Sequence, residues 1–385
     1  MGSDLARLQA ENCVTMRLGL IVNPIAGIGG RVGLKGSDGA EIQQMALKLG
    51  AVPQSHLRAA GALEVLTLWR DELELVTPPG PMGEDLARSC GFSPQVIGEL
   101  PPGPTSAMDT RRFAQMMLNL PVDLLLFAGG DGTARDITAA VGATLPVLGI
   151  PAGVKIHSAV FATNPLHAGE IAAAYLRGEQ IHLRQSEVID LDEETYRTGI
   201  VAIRLYGYLK VPYRPHKLQN RKVPTPAAES ARLEAIAAHM IESMQPGWVY
   251  VLGPGSTTRA ITDRLGFPKT LVGVDVYTRK GVVALDVSES RLLELLENQP
   301  ARVIVTPIGG QGFIFGRGNQ PISPKVLQIV GRENILVVSL SEKLNALQGL
   351  PLLVDTGDPE VDEWLAGYLP VVVGYREKVM YRVTS

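Results

Sequence analysis

The apolar residues of this chain fall into short unbroken runs separated by stretches with helical spacing. Leu124-Leu125-Leu126-Phe127 places four apolar residues in a row with turn chemistry after them, the pattern of a strand buried on both faces. Arg17–Val22, Leu145–Ile150, Trp248–Leu252, Leu271–Val276 and Val303–Val305 carry further strand-like runs, and Leu73–Val76 and Gln95–Ile97 shorter ones. Between them Ala59–Asp71, Glu84–Cys90, a stretch capped by Thr105 and running to Leu118, and Ala227–Met244 suit helices. Asn164-Pro165 starts another helix that ends near Arg177-Gly178. Ser186–Asp192 alternates with period two, turns at Glu193-Glu194 and returns as Ile200–Leu209, which predicts a hairpin with one wet face. The tail repeats the alternation: strand Ile335–Val338, helix Glu342–Gln348, strand Leu352–Val354, helix Val361–Leu369, strand Val371–Val373.

Alternating strands and helices predict an α/β protein. An N-terminal Rossmann-like parallel sheet with helices on both faces is expected, then a second α/β domain with a β-hairpin segment between. The expected boundaries are 14–180, 181–245 for the hairpin and connecting helix, and 246–385. Ligands of such sheets sit at the carboxyl ends of the strands, so the residues following each strand are the ones to search for chemistry.

Gly129-Gly130-Asp131-Gly132-Thr133 follows the most apolar strand and opens a helix. Glycines Gly129, Gly130 and Gly132 let backbone approach a phosphate, and the helix start, with the hydroxyl of Thr133, favours an anion. Asp131 conflicts with that reading. A carboxylate beside phosphates repels them unless it takes a proton from an acceptor hydroxyl or holds Mg2+. Chemistry, and not binding alone, is the expectation. After the first strand, Asn23-Pro24 enters a loop with Gly27, Gly29, Gly30, Gly33, Gly36 and Gly39, interrupted by Arg31 and Lys35. It can wrap a nucleotide phosphate or be a plain surface loop. After Ile150, Lys155 can clamp a phosphate as a point charge, and His157 can bind a ligand or carry a proton; a surface lysine and a capping histidine are the alternative.

The second half repeats the device. Gly253, Gly255, Ser256, Thr257 and Thr258 join a strand to a helix and suit a phosphate or carboxylate. Gln311, Arg317 and Asn319 cluster with glycines beside another strand, either as forked donors to an oxygen-rich ligand or as a structural loop with Arg317 in an ion pair. Asp355 and Asp358 can bind Mg2+ or a ribose or cap the next helix, with capping the safer reading for Asp358. The basic segment Tyr213–Lys222 reads as an exposed loop.

Composition narrows the classes. The 385 residues fit two or three domains, with 45% hydrophobic and 19% charged residues, and a net charge of −3 gives no polybasic surface for nucleic acid. Two cysteines, Cys13 and Cys90, fit a reducing compartment, no apolar run approaches a membrane span, and Met1–Asn12 lacks the apolar region of a signal peptide. A cytoplasmic protein with no membrane or nucleic-acid partner, and a small-molecule substrate, is the expectation.

Gly-Gly-Asp-Gly-Thr after a buried strand resembles the signature shared by NAD kinases, diacylglycerol kinases and sphingosine kinases. Val22-Asn23-Pro24 with Gly27 resembles the opening strand of the same NAD kinase-like superfamily, and the resemblance implies Asn23 at a nucleotide site. Extended as Gly-Gly-Asp-Gly-Thr-Ala-Arg-Asp, it is similar to the ATP-NAD kinase branch that includes acetoin-catabolism X-type proteins, over Arg17 to Val383. The turn after Ile150 departs from ordinary NAD kinases, with proline in place of asparagine, and the second half looks α/β where the usual partner domain is a β-sandwich. The resemblance implies an ATP-dependent kinase with Mg2+, nominally converting NAD to NADP, with Asp131 catalytic and a homo-oligomer in solution. A kinase of another small alcohol or lipid, a non-catalytic metabolite sensor, and a phosphosugar-handling activity at Gly253–Thr258, whose turn is reminiscent of phosphosugar isomerases, stay open.

Overall fold

The computed structural model describes residues 16–34, 40–154, 156–191, 203–214, 230–270, 272–308 and 311–385. The first part alternates β1 (Met16–Val22), α1 (Ala40–Lys48), α2 (Ser55–Leu66), β2 (Leu73–Thr77), α3 (Glu84–Ser89), β3 (Gln95–Val96), α4 (Ala107–Leu118), β4 (Leu124–Gly129), α5 (Asp131–Val141), β5 (Val147–Pro151) and α6 (Pro165–Leu176). The strands form one parallel sheet in the order β3-β2-β1-β4-β5. All six residues of β4 are buried, as its unbroken apolar run requires of a central strand with helices over both faces. α2 packs on α6 and α4 on α5, and their apolar stripes close a single core with Leu18, Leu126 and Phe127.

The strand order reverses direction between β1 and β4. That reversal opens a crevice at their carboxyl ends, because consecutive crossovers leave to opposite sides there. Asn23 follows β1 and Gly130 follows β4, so two of the sequence motifs meet at this point.

The hairpin pairs β6 (His182–Leu191) with β7 (Ile203–Tyr213), and the predicted Glu193-Glu194 turn lies outside the described residues. Ser158 fastens β6 to the first sheet: its Oγ donates to the Ile189 carbonyl at 2.8 Å and accepts from the Ile189 N–H at 3.0 Å. The register of the hairpin shifts between Val188 and Ile189, at that attachment.

The remainder runs α7 (Ser230–Glu242), β8 (Val249–Leu252), α8 (Ser256–Leu265), β9 (Asp275–Thr278), β10 (Gly281–Ala284), α9 (Glu289–Leu296), β11 (Ala301–Val305), β12 (Phe313–Phe315), α10 (Pro324–Val330), β13 (Ile335–Val338), α11 (Ser341–Asn345), β14 (Leu352–Val354), α12 (Pro359–Leu365), β15 (Gly367–Gly374) and β16 (Glu377–Thr384). It builds a nine-stranded mixed sheet, β10-β9-β8-β11-β13-β15-β16-β14-β12. Alternate residues feed two cores: Val249 and Val251 of β8 join one, Tyr250 and Leu252 the other. The mixed α/β class predicted from the alternation is the class observed.

Several elements differ in extent from the sequence pattern. β9 starts at Asp275, four residues after the predicted start, where the buried Asp275 carboxylate collects Lys269 Nζ and Thr270 N, each at 3.0 Å. α4 is capped by Ser106 in a box with Asp109, not by Thr105. Leu369, predicted to end a helix, lies in β15. Most of the Tyr213–Lys222 segment lies outside the described residues. Among the described residues, no helix is long and apolar enough to cross a membrane.

Candidate functional site

The crevice between β1 and β4 is closed by a side-chain bond across the strand reversal. Asn23 Nδ2 donates to Thr133 Oγ1 at 2.9 Å, and Asn23 Oδ1 accepts from Ile25 N–H at 3.3 Å. The asparagine therefore ties the first loop to the first turn of α5. Gly129 is required here by space: a Cβ would lie 2.4 Å from the Thr133 side chain. Gly27 is required by conformation as well, with φ of +77° and a would-be Cβ 2.2 Å from the Ala152 carbonyl oxygen.

Asp131 begins α5 and is 4% exposed. Its carboxylate accepts three hydrogen bonds, all from the loop after β5: His157 N–H to Oδ2 at 2.7 Å, His157 Nδ1 to Oδ2 at 3.0 Å, and Ser158 N–H to Oδ1 at 3.0 Å. A carboxylate with two backbone donors and an imidazole has one fixed orientation, so it is positioned before any ligand arrives. The rest of the motif is structural. Arg135 reaches Asp190 of the hairpin at 3.1 Å, and Arg111 of α4 reaches Asp136 at 2.7 Å. The Ala-Arg-Asp extension thus fastens α5 to its two neighbours.

The glycine loop after β1 does not stand free. Gly30 lies against the Gln320 side chain, and Glu289 N–H donates to the Arg31 carbonyl, so residues 27–34 are wedged between the two sheets. Beside them, Arg58 of α2 donates to the Pro151 carbonyl at 2.9 Å and forms a forked pair with Asp355. Arg317 approaches the same carboxylate at 2.6 Å. Burial raises the Asp355 carboxyl, but Arg58 and Arg317 outweigh burial and hold it below its ordinary value. Burial pulls the Arg317 guanidinium down to about 10, still charged at neutral pH. The two guanidiniums face the carboxylates of Asp355 and Asp362 beside the cleft lined by Gly27, Arg31, Arg58, Gly153 and Gln320.

The predicted residues therefore separate into three groups. Asn23, Gly27, Gly129, Gly130, Asp131, Thr133 and His157 come together at the strand reversal. Gln311, Arg317 and Asn319 lie along the seam between the sheets: Gln311 donates to the Ile156 carbonyl at 2.9 Å, and the Asn319 amide is used by Gly316 N–H and the Ile314 carbonyl. Gly253–Thr258 lie at the end of β8 in the second sheet. Lys155 lies outside the described residues. Sequence reasoning missed Arg58 and the pairing of Asp355, whose partners are 297 residues apart. A lone arginine in an apolar helix gives no local signal of such a partner. A roomier groove lined by His239, Arg302, Arg332 and Tyr368 lies at the amino ends of β11, β13 and β15, the end of a sheet that strands do not use for such ligands.

This fold and this turn are those of an NAD kinase-type domain joined to a second sheet domain. The chain belongs to the NAD kinase-like superfamily: residues 18–180 match the ATP-NAD kinase N-terminal domain and residues 247–383 the ATP-NAD kinase C-terminal domain. No curated protein matches it. Among solved structures it is similar to a protein from Bacillus anthracis strain Sterne assigned as a diacylglycerol kinase, at 17% identity, and to a diacylglycerol kinase from the same strain at 16%. Each match covers 46% of this chain and 46% of the other, with a TM-score of 0.25, so the chain spans about half the length of the structures it matches.

Proposed function

We propose that the protein is an ATP-dependent kinase that phosphorylates a hydroxyl of a small molecule, nominally NAD to give NADP. One observation carries the reading: Asn23 and Thr133 bond across the strand reversal beside a buried Asp131 already fixed by His157 and Ser158. Phosphoryl transfer needs positioning and charge neutralisation more than a covalent nucleophile. In this reading the N–H groups at the start of α5, over Gly129, Gly130 and Gly132, receive nucleotide phosphate, and Thr133 adds a hydroxyl. Arg31 supplies positive charge from the cleft, and Lys155 is the further clamp. Asp131 takes the proton of the acceptor hydroxyl, and His157, donating from Nδ1 to Oδ2, holds the carboxylate in place. Among the described residues no three His, Cys, Asp or Glu side chains gather to hold a metal. Mg2+ would therefore enter on the nucleotide phosphates with at most a carboxylate such as Asp131, the habit of this ion, and would neutralise their charge.

The α/β build of the second domain, where the resemblance implies a β-sandwich, favours a second reading with another small alcohol as acceptor. One experiment tests both: purified protein with ATP, Mg2+ and either NAD or a panel of alcohols, followed by NADP formation and ADP release. NADP supports the first reading and ADP with another alcohol the second. Thermal stabilisation by ATP with no ADP released would leave a binding protein.

A further inference from the structure

The loop after β5, which supplies the donors to Asp131, is gripped on its other side by the second sheet domain. Gln311 Nε2 donates to the Ile156 carbonyl at 2.9 Å, Gly318 N–H to the Val154 carbonyl at 3.0 Å, and Arg317 Nη2 to the Thr163 carbonyl at 3.2 Å. The last two contacts hold the loop on either side of His157. Ile156 is the residue directly before it.

The contact at Ile156 differs in kind from the others. The Ile156 carbonyl and the His157 N–H are the two ends of one peptide group. A trans peptide is planar, and these two bonds point in opposite directions across it. Gln311 holds the carbonyl end, and Asp131 Oδ2 holds the N–H end at 2.7 Å. The hydrogen-bond chain therefore crosses from the second domain to the carboxylate through a single rigid plane. Tilting that plane weakens both bonds together, and donation to the carbonyl polarises the N–H toward the carboxylate. His157 Nδ1 and Ser158 N–H, the other two donors to Asp131, hang from the same stretch of backbone.

Gln311 is placed for this one contact. A turn fixes its backbone: its N–H and that of Gly312 both donate to the Ile308 carbonyl, at 3.1 and 2.9 Å, and Gly312 has φ of +79°. Gln311 is 5% exposed, and its Oε1 has no hydrogen-bond partner among the described residues. Burying an amide with one end unsatisfied is unfavourable, so packing alone would be better served by an apolar side chain. What the amide adds is the donation to Ile156.

We propose that Gln311 is a positioning residue for Asp131, through which the second domain sets the direction of a carboxylate in the first. Its effect on turnover rests on the kinase reading, but its hold on the carboxylate does not.

The test compares the full chain with Gln311→Met, which keeps the bulk and removes the donor. Hydrogen exchange is read by mass spectrometry at residue resolution. In the parent chain the His157 amide is expected to exchange slowly although it lies in a loop. In Gln311→Met the His157 and Ser158 amides are expected to exchange about tenfold faster, with those of β4 unchanged. ADP release, with the acceptor that supports turnover, is expected to show kcat lower by roughly 10–10²-fold at an unchanged KM for ATP. A His157 amide that exchanges as fast as open loop in the parent chain overturns the proposal, whether or not the variant folds. So do unchanged exchange in the variant, and a loss of kcat/KM carried by KM alone. Faster exchange in the variant of a parent chain that releases no ADP upholds the link to Asp131 and removes the kinase reading. ADP release by a parent chain whose variant exchanges and turns over unchanged leaves the kinase reading and overturns the proposal.

Discussion

Replacing Asp131 with asparagine separates the structural work of this carboxylate from its chemistry. The side chain keeps its shape but loses one acceptor. Its oxygen can serve either the two His157 donors that now meet Oδ2 or the Ser158 N–H that meets Oδ1, and the new amide then faces a donor. At least one charge-assisted bond is lost in a buried place, about 1.5–3 kcal/mol. At 2–4 °C per kcal/mol for a domain of this size, the melting temperature is expected to fall by roughly 3–12 °C. The chain still folds, and ADP release is expected to drop by roughly 10²–10⁴, the range for losing a general base. Calorimetry and a coupled ADP assay on the same preparation read both effects. A melting temperature within a degree of the parent chain would refute the hydrogen-bond argument, and undiminished ADP release would remove Asp131 from the mechanism.

Asp355→Ala leaves Arg317 buried without its carboxylate and is expected to cost about 3–5 kcal/mol in a denaturant titration, whereas Arg58→Met, which leaves the Arg317 pair, costs less. Because Asp355 is held below its ordinary value, its stabilisation is complete above about pH 4 and lost as the pH falls through that lowered value; melts from pH 7 to pH 3 should lose less in Asp355→Ala than in the parent chain. Gly129→Ala forces a methyl into Thr133 and is expected to destabilise by about 1–3 kcal/mol and to abolish ATP-induced stabilisation, read by thermal shift. Asn23→Ala removes the donor to Thr133, and about 1 kcal/mol should appear as a roughly five-fold weaker ATP affinity.

What could be read from the chain is what lies close in sequence. β4 and its turn into α5 declare themselves because the strand is apolar on both faces and the glycines follow at once. Asp358 caps α12 through the N–H groups of Glu360 and Val361, as its place before a proline suggests. Asp355, three residues earlier and read as a ligand for Mg2+ or ribose, is instead consumed by Arg58 and Arg317, a pairing that only the docking of the two sheets creates. The same holds for His157 and Ser158, whose meaning depends on Asp131 a full β–α unit away. Arg135 and Asp136 sit inside the recognisable motif, yet their ion pairs with the hairpin and α4 leave no local trace in the pattern.

Ser158 holds one end of Asp131 through its N–H and grips the hairpin through its hydroxyl. The two-stranded arm is therefore joined to the acidic group by way of Ser158, and to its helix through the Arg135–Asp190 pair. Whatever docks against the arm, whether a neighbouring subunit or a substrate, gains a handle on the charge at the far end, and changes remote from the crevice can retune it without touching it.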